Sequence, residues 1–128
     1  MSMEAQKLRI MVIDDESIVG KRLKPALEKS GDTVETFLDG EKALARFDED
    51  PFDVVVSDIR MEKVDGIEIL EHILEKSSRT KVILITGYAT VETAREALVK
   101  GAFDFIAKPF KPADLRAIIK RAAEELRK

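Results

Sequence analysis

The fold of this chain is decided by the stretch Phe52-Asp53-Val54-Val55-Val56-Ser57-Asp58. Three consecutive valines predict a short strand that is buried on both faces, which is typical of a parallel sheet with helices above and below it. The strand ends at a small residue that is followed by the carboxylate of Asp58. In open α/β sheets, ligands bind just beyond the carboxyl ends of the strands. Asp58 is therefore a helix cap, a loop residue or the reacting group of a site.

Four further strand–helix units surround this strand. Apolar runs predict strands at 8–13, 33–37, 81–85 and 102–107, and the alternation at 33–37 indicates an edge strand. Helical spacing predicts helices at 17–30, between 40 and 50, after 66, at 90–100 with Thr90 as a cap, and from 112. Strict alternation of strands and helices predicts one α/β domain, a doubly wound (βα)5 unit with a parallel five-stranded sheet.

Length and composition fit a single domain. The chain has 128 residues, of which 45% are hydrophobic and 37% are charged. We expect a polar tail at 1–7, one domain at 8–126, and an end at 127–128 from which a longer chain could continue. No apolar run approaches the roughly 20 residues of a membrane span, and the start lacks the apolar core of a signal peptide.

Composition also excludes several classes of function. Cysteine is absent, which excludes disulfides and thiolate chemistry, and we expect a cytoplasmic protein. A net charge of −3 gives no support to direct nucleic-acid binding, which usually needs a concentrated basic face. With one histidine and no tryptophan, function must rest on carboxylates, hydroxyls, lysines or backbone groups.

Polar side chains follow four of the five predicted strands. The first strand ends at Asp14-Asp15, the third at Asp58, the fourth at Thr86 and the fifth at Lys108. If the first and third strands are neighbours, their carboxylates would repel one another unless a cation neutralises them. Oxygen ligands of this kind suit Mg²⁺, with Mn²⁺ as a substitute. The hydroxyl of Thr86 and the ammonium of Lys108 would hold a phosphoryl group, so the pattern favours phosphoryl transfer to Asp58.

The strand ends and loops resemble the receiver domain of two-component response regulators. The resemblance rests on Val12-Ile13-Asp14-Asp15-Glu16, Val56-Ser57-Asp58-Ile59-Arg60-Met61, Asp65-Gly66, Ile85-Thr86-Gly87 and Ala107-Lys108-Pro109-Phe110. It extends over 8–126 and implies the flavodoxin-like strand order 2-1-3-4-5. The stretches 88–94 and 101–105 are similar to receivers of the nitrogen-regulation type.

The resemblance also implies how a metal and a phosphoryl group are held. Asp58 would be the phosphate acceptor. Asp15, Asp58 and the backbone carbonyl of Arg60 would bind Mg²⁺ directly, and Asp14 would act through a water. Thr86 would be the switch hydroxyl.

Four further roles follow from the same resemblance. Lys108 would pair with the phosphate, and Phe105 would occupy the aromatic switch position. The side chains of Arg60 and Tyr88 would tune the rate at which the acyl phosphate hydrolyses. The Lys108–Pro109 peptide bond would be cis.

The implied function is that of a signalling switch. A sensor histidine kinase would supply the phosphoryl group, and the domain would catalyse only its own phosphorylation and slow dephosphorylation. The face formed by the fourth helix, fifth strand and fifth helix would then repack and pair with a second receiver or an effector domain. The resemblance implies neither direct nucleic-acid binding by this domain nor a membrane partner.

Two positions depart from the family pattern, and three rival functions remain. Glu62 stands where family members often carry proline, and Phe105 lacks the hydroxyl of a tyrosine. A haloacid-dehalogenase-like phosphatase would need an aspartate at the position of Arg60. A flavodoxin-like FMN carrier would bind phosphate in its first loop, where Asp14-Asp15-Glu16 would repel it. The third rival is a phosphate-independent docking scaffold.

Purely structural interpretations exist for several of these residues. Asp14 could cap the first helix, Thr86 could merely end a strand, and Lys108 could be a solvated surface lysine. Phe105 could be an ordinary core residue. The sole histidine, His72, lies opposite the apolar stripe of its helix, so we expect it to be solvated.

Overall fold

The stretch with the three valines forms the central strand of the sheet. In the computed structural model, which describes residues 7–87 and 91–128, all five residues of β3 (Val54–Asp58) are buried. It lies between β1 (Arg9–Ile13) and β4 (Lys81–Thr86), and β2 (Thr33–Phe37) and β5 (Asp104–Ala107) form the edges. All neighbouring strands pair in parallel, in the order β2-β1-β3-β4-β5. The predicted fold class and strand order are confirmed.

Five helices connect the strands and cover both faces of the sheet. They are α1 (Ser17–Glu28), α2 (Gly40–Glu49), α3 (Gly66–Lys76), α4 (Val91–Val99) and α5 (Pro112–Leu126). None of the helices in the described ranges is both long and apolar enough to cross a membrane. The predicted cap Thr90 lies outside the described residues.

The alternating residues of β3 separate two apolar cores. Val54 and Val56 pack in a cluster with residues of α1 and α5, whereas Val55 packs in a second cluster with residues of α2, α3 and α4. A strand that is buried on both faces is what the run of valines predicts.

Several element ends differ from the predicted ones by a few residues. α1 ends at Glu28 rather than at residue 30, and Gly31 follows with a φ of 91° that suits glycine. β5 begins at Asp104 rather than at residue 102, after Gly101 with a φ of 104°. Asp58 is itself the last residue of β3, so its carboxylate is placed by the sheet and not by a loop.

The loop between β3 and α3 is fixed at both ends. The backbone N–H of Ile59 donates to Ile85 O at 2.9 Å, and the N–H of Gly66 donates to Ile59 O at 2.8 Å. Asp65 caps α3 in a capping box with Glu68, in which each side chain accepts from the other's backbone N–H. These bonds position the chain immediately after Asp58.

Candidate functional site

Two buried carboxylates lie side by side at the carboxyl edge of the sheet. Asp14 follows β1 and is 2% exposed, and Asp58 ends β3 and is 6% exposed. The pairing of β1 with β3 brings them together, because Ile13 is the register partner of Ser57. Asp14 Oδ1 accepts a hydrogen bond of 2.8 Å from the backbone N–H of Glu16.

The ammonium of Lys108 lies among three carboxylates. Its Nζ is 2.6 Å from Glu16 Oε1, 3.1 Å from Asp14 Oδ2 and 3.4 Å from Asp58 Oδ2. The backbone N–H of Lys108 donates to Thr86 O at 2.8 Å, which anchors the end of β5 to β4. The Lys108–Pro109 peptide bond is cis, the isomer that the family resemblance implies.

Burial and charge shift the pKa values at this site in opposite directions. Desolvation raises the pKa of the Asp14 carboxyl, and desolvation together with the charge of Asp14 raises that of Asp58. Burial alone would lower the pKa of Lys108, but its hydrogen bond to Glu16 and the nearby negative charge of Asp14 outweigh that effect and raise the pKa. The hydrogen bond from Lys108 lowers the pKa of the Glu16 carboxyl. Lys108 therefore remains charged beside two acids that are costly to ionise.

The donor set fits a hard divalent cation. Carboxylate oxygens of Asp14, Glu16 and Asp58 lie within 4.8 Å of one another. Within the described ranges, Asp14 Oδ2 is the one buried side-chain oxygen or nitrogen that makes no hydrogen bond, because its contact with Lys108 lacks hydrogen-bond geometry. A buried carboxylate oxygen without a hydrogen bond is costly, and a cation such as Mg²⁺ would satisfy it.

A polar cleft of about 530 Å³ opens beside these carboxylates. Asp15, Arg60 and Thr86 line it together with the loop after β3, and Thr93 and Glu96 of α4 form the opposite wall. Thr86 is buried, whereas Asp15 and Arg60 are exposed. Of the predicted site residues, Asp15, Arg60 and Thr86 therefore share one cleft.

Comparison with known proteins identifies the family of this chain. A family model, the response regulator receiver domain, matches residues 10–120. The chain belongs to the response regulator receiver family. Its predicted membership is confirmed, and the receiver is a signalling domain of two-component systems.

The receiver is similar to curated proteins that are much longer. It is 43% identical over 116 residues to the regulatory protein AtoC of Escherichia coli, covering 91% of this chain and 25% of AtoC. It is 35% identical over 113 residues to the DNA-binding transcriptional regulator NtrC of Salmonella typhimurium, covering 88% of this chain and 24% of NtrC. The chain thus spans about a quarter of the length of these relatives.

Solved receiver structures share the fold over nearly their whole length. A CheY-like receiver from Methanospirillum hungatei superposes with a TM-score of 0.90 at 31% identity, covering 95% of this chain and 98% of that one. The beryllofluoride-activated NtrC4 receiver domain dimer superposes with a TM-score of 0.87 at 36% identity, covering 92% of this chain and 98% of that one. The predicted similarity to nitrogen-regulation-type receivers is confirmed.

The remaining predicted site residues lie outside the group formed by Asp14, Asp58 and Lys108. Phe105 is half-buried in β5, is the register partner of Leu84, and packs against the core on the side of α2, α3 and α4. Asp15 lies on the wall of the cleft and is not a member of the carboxylate cluster of Asp14, Glu16 and Asp58. Tyr88 lies outside the described residues.

Sequence reasoning missed one residue at the site and one contact elsewhere. The motif assigns no separate role to Glu16, although its position directly after the acid pair is a signal that it could turn towards the same edge. The His72 side chain is 36% exposed, and its Nε2 lies 2.9 Å from Asp48 Oδ1, a surface contact that links α3 to α2. That contact depends on how the two helices pack, which the helical pattern of α3 alone does not reveal.

Proposed function

We propose that this receiver is a cytoplasmic phosphoacceptor switch in which Asp58 takes a phosphoryl group from the phosphohistidine of a sensor histidine kinase. The observation that carries the proposal is the convergence of two buried carboxylates and a lysine at the carboxyl edge of the sheet. The Nζ of Lys108 lies within 3.4 Å of a carboxylate oxygen of both Asp14 and Asp58. The domain at 8–126 would act as one unit, with 1–7 and 127–128 outside it.

The transfer would proceed by direct displacement. A carboxylate oxygen of Asp58 attacks phosphorus, a phosphorus–oxygen bond forms, and the phosphorus–nitrogen bond breaks with its electron pair left on the donor imidazole. Hydrolysis later places a water oxygen on phosphorus and regenerates the Asp58 carboxylate. The chain therefore catalyses only a change in its own state.

A bound Mg²⁺ or Mn²⁺ would neutralise charge between the carboxylates and the phosphoryl oxygens. Asp15, Asp58 and the carbonyl of Arg60 would hold the cation directly, with Asp14 acting through water. Hard oxygen donors and the unsatisfied Asp14 Oδ2 support a cation at this edge of the sheet, and the assignment of individual ligands follows the family resemblance.

Lys108 and Thr86 would bind the phosphoryl group on Asp58. The Lys108 ammonium would donate to a phosphoryl oxygen, and the Thr86 hydroxyl would move towards another. Phe105 would follow into the space that Thr86 leaves, which would repack the face of α4, β5 and α5. A local charge change that biases two packings is a common form of switch.

The face of α4, β5 and α5 would be the output surface of the switch. Leu98 and Val99 of α4 are 47% and 80% exposed, and Arg121 of α5 forms an ion pair with Asp104 of β5 at 2.5 Å. A second copy of the receiver or an effector domain would bind there. The activated NtrC4 receiver is a dimer, which supports pairing between receivers. Direct nucleic-acid binding by this domain is not part of the proposal.

Acetyl phosphate with Mg²⁺, followed by intact-protein mass analysis, tests the proposed acceptor. The wild-type domain should gain one phosphoryl group, and Asp58→Asn should gain none. Omitting Mg²⁺ should also prevent the gain. Equal labelling of the Asp58→Asn variant would overturn the assignment.

A further inference from the structure

Lys108 makes its shortest contact with Glu16, outside the set of residues that the proposed function assigns. The Nζ of Lys108 is 2.6 Å from Glu16 Oε1 but 3.4 Å from Asp58 Oδ2. The Glu16 side chain is 61% exposed, whereas that of Asp58 is 9% exposed. In this state the ammonium is bonded more closely to the exposed acid at the rim than to the buried acceptor.

That contact competes with the role proposed for Lys108. A lysine ammonium has three donors and no acceptor, and here all three nearest partners are carboxylates. A phosphoryl group on Asp58 would need a short hydrogen bond from one of those donors. Since the bond to Glu16 is charge-assisted and short, it holds the ammonium 3.4 Å from Asp58 Oδ2, and a closer bond to a phosphoryl oxygen would draw Lys108 away from Glu16.

We propose that Glu16 is a positioning residue that retains Lys108 at the rim of the site in the unphosphorylated domain and thereby opposes capture of a phosphoryl group on Asp58. The inference rests on the proposed function of Asp58 and Lys108. Because the pair is exposed on the Glu16 side, it is weak enough to be broken when the phosphoryl group arrives. Glu16 thus sets how readily the switch is turned on.

The competing role for Glu16 is that of a cation ligand, since its oxygen belongs to the carboxylate cluster. The two roles predict opposite results for Glu16→Gln. Loss of a ligand weakens Mg²⁺ binding and therefore also the binding of a phosphoryl analogue. Loss of a competitor for Lys108 leaves Mg²⁺ binding nearly unchanged and strengthens the binding of the analogue.

Beryllofluoride in the presence of Mg²⁺ is the probe for this test, with binding followed by ¹⁹F NMR. Glu16→Gln should bind it about two- to fivefold more tightly than wild type, the range expected for an exposed ion pair. Glu16→Asp keeps the charge but shortens the reach to Lys108, so it should show part of the gain. Glu62→Gln removes one charge from the rim of the neighbouring cleft without a contact to Lys108, and it should change the affinity by less than about twofold.

A double-mutant cycle with Lys108→Met separates an effect through Lys108 from a general effect of charge. If Glu16 acts on Lys108, Glu16→Gln should bring no gain in the Lys108→Met background. An equal gain there, no gain in the wild-type background, or tenfold weaker binding of Mg²⁺ alone would each overturn the proposal. Absence of beryllofluoride binding to wild type, or equal binding to Asp58→Asn, would instead overturn the proposed function itself, and the inference with it.

Discussion

Gly66 approaches the backbone of Asp58 so closely that a side chain cannot be placed between them. A Cβ at Gly66 would lie 2.5 Å from the carbonyl oxygen of Asp58 and 2.7 Å from Ile59 Cα. Both neighbours are backbone atoms of the chain that carries the acceptor. The first turn of α3 thus packs directly against the backbone of Asp58 and Ile59. The residue at position 66 must be glycine for the loop to adopt this conformation.

We expect Gly66→Ala to damage both stability and metal binding. Backbone atoms have to shift to relieve the overlap, which should cost about 1–3 kcal/mol of unfolding free energy. The shift would also displace the carboxylate of Asp58, so Mg²⁺ affinity should fall. Urea unfolding and calorimetric Mg²⁺ titration measure the two effects.

Gly87→Ala is the matched control for that change. A Cβ at Gly87 would have no neighbour within 4 Å, and its backbone has no positive φ that requires glycine. We expect its unfolding free energy to stay within about 0.5 kcal/mol of wild type. Equal effects of the two substitutions would show that close approach at Gly66 is not the cause.

Removal of either buried charge should stabilise the metal-free domain at neutral pH. Burial raises the pKa of both Asp14 and Asp58 above the ordinary value of 3.8, so the folded chain binds these protons more tightly than the unfolded chain does. Ionisation therefore costs folding free energy, and stability falls as the pH rises from 3.8 through the raised folded pKa values. Asp58→Asn should add about 1 kcal/mol near neutral pH in the presence of a chelator.

The pH dependence of that gain tests its cause. The gain in unfolding free energy should shrink as the pH falls below the folded pKa of Asp58, because the wild-type carboxyl is then protonated and, like the asparagine, uncharged. Asp50→Asn removes an exposed carboxyl that pairs with Arg9, and it should bring no gain at any pH. A gain for Asp58→Asn that stays constant down to about pH 4 would contradict an electrostatic origin.

The local pattern of each element was sufficient to predict the alternation of strands and helices and the parallel sheet. Three valines define a strand buried on both faces, and alternating strand–helix units permit few arrangements other than a parallel sheet. The same reasoning placed Asp14, Asp58, Thr86 and Lys108 at one edge of the sheet, since strand ends follow from strand assignments. The family resemblance supplied the strand order.

The contacts that the sequence could not predict depend on turns and on packing between elements. The approach of Glu16 to Lys108 depends on the turn in which the Glu16 N–H binds the Asp14 carboxylate. The His72–Asp48 contact depends on how α2 packs against α3. Neither contact follows from the periodicity of a helix or a strand, so the sequence pattern does not predict it.

Thr86→Ala should separate phosphoryl capture from the response of the output surface. The acceptor and Lys108 remain, so beryllofluoride should still bind. Without the hydroxyl, nothing draws Phe105 towards the site, so chemical-shift changes on binding should be confined to the strand ends. Two-dimensional amide NMR measures their extent, and wild-type changes in α4, β5 and α5 would be the reference. Undiminished changes on that face in Thr86→Ala would contradict the proposed relay.

Arg60→Ala should distinguish the backbone of the acceptor loop from its side chain. The backbone N–H of Arg60 lies 3.4 Å from Asp58 Oδ1, and its carbonyl is the proposed cation ligand; truncating the side chain alters neither group. Mg²⁺ affinity should therefore stay within about twofold of wild type, as for most exposed substitutions. The side chain lines the cleft beside the proposed acceptor, so we expect the rate of dephosphorylation to change. Loss of Mg²⁺ binding in Arg60→Ala would mean that the side chain, and not the backbone, fixes the loop.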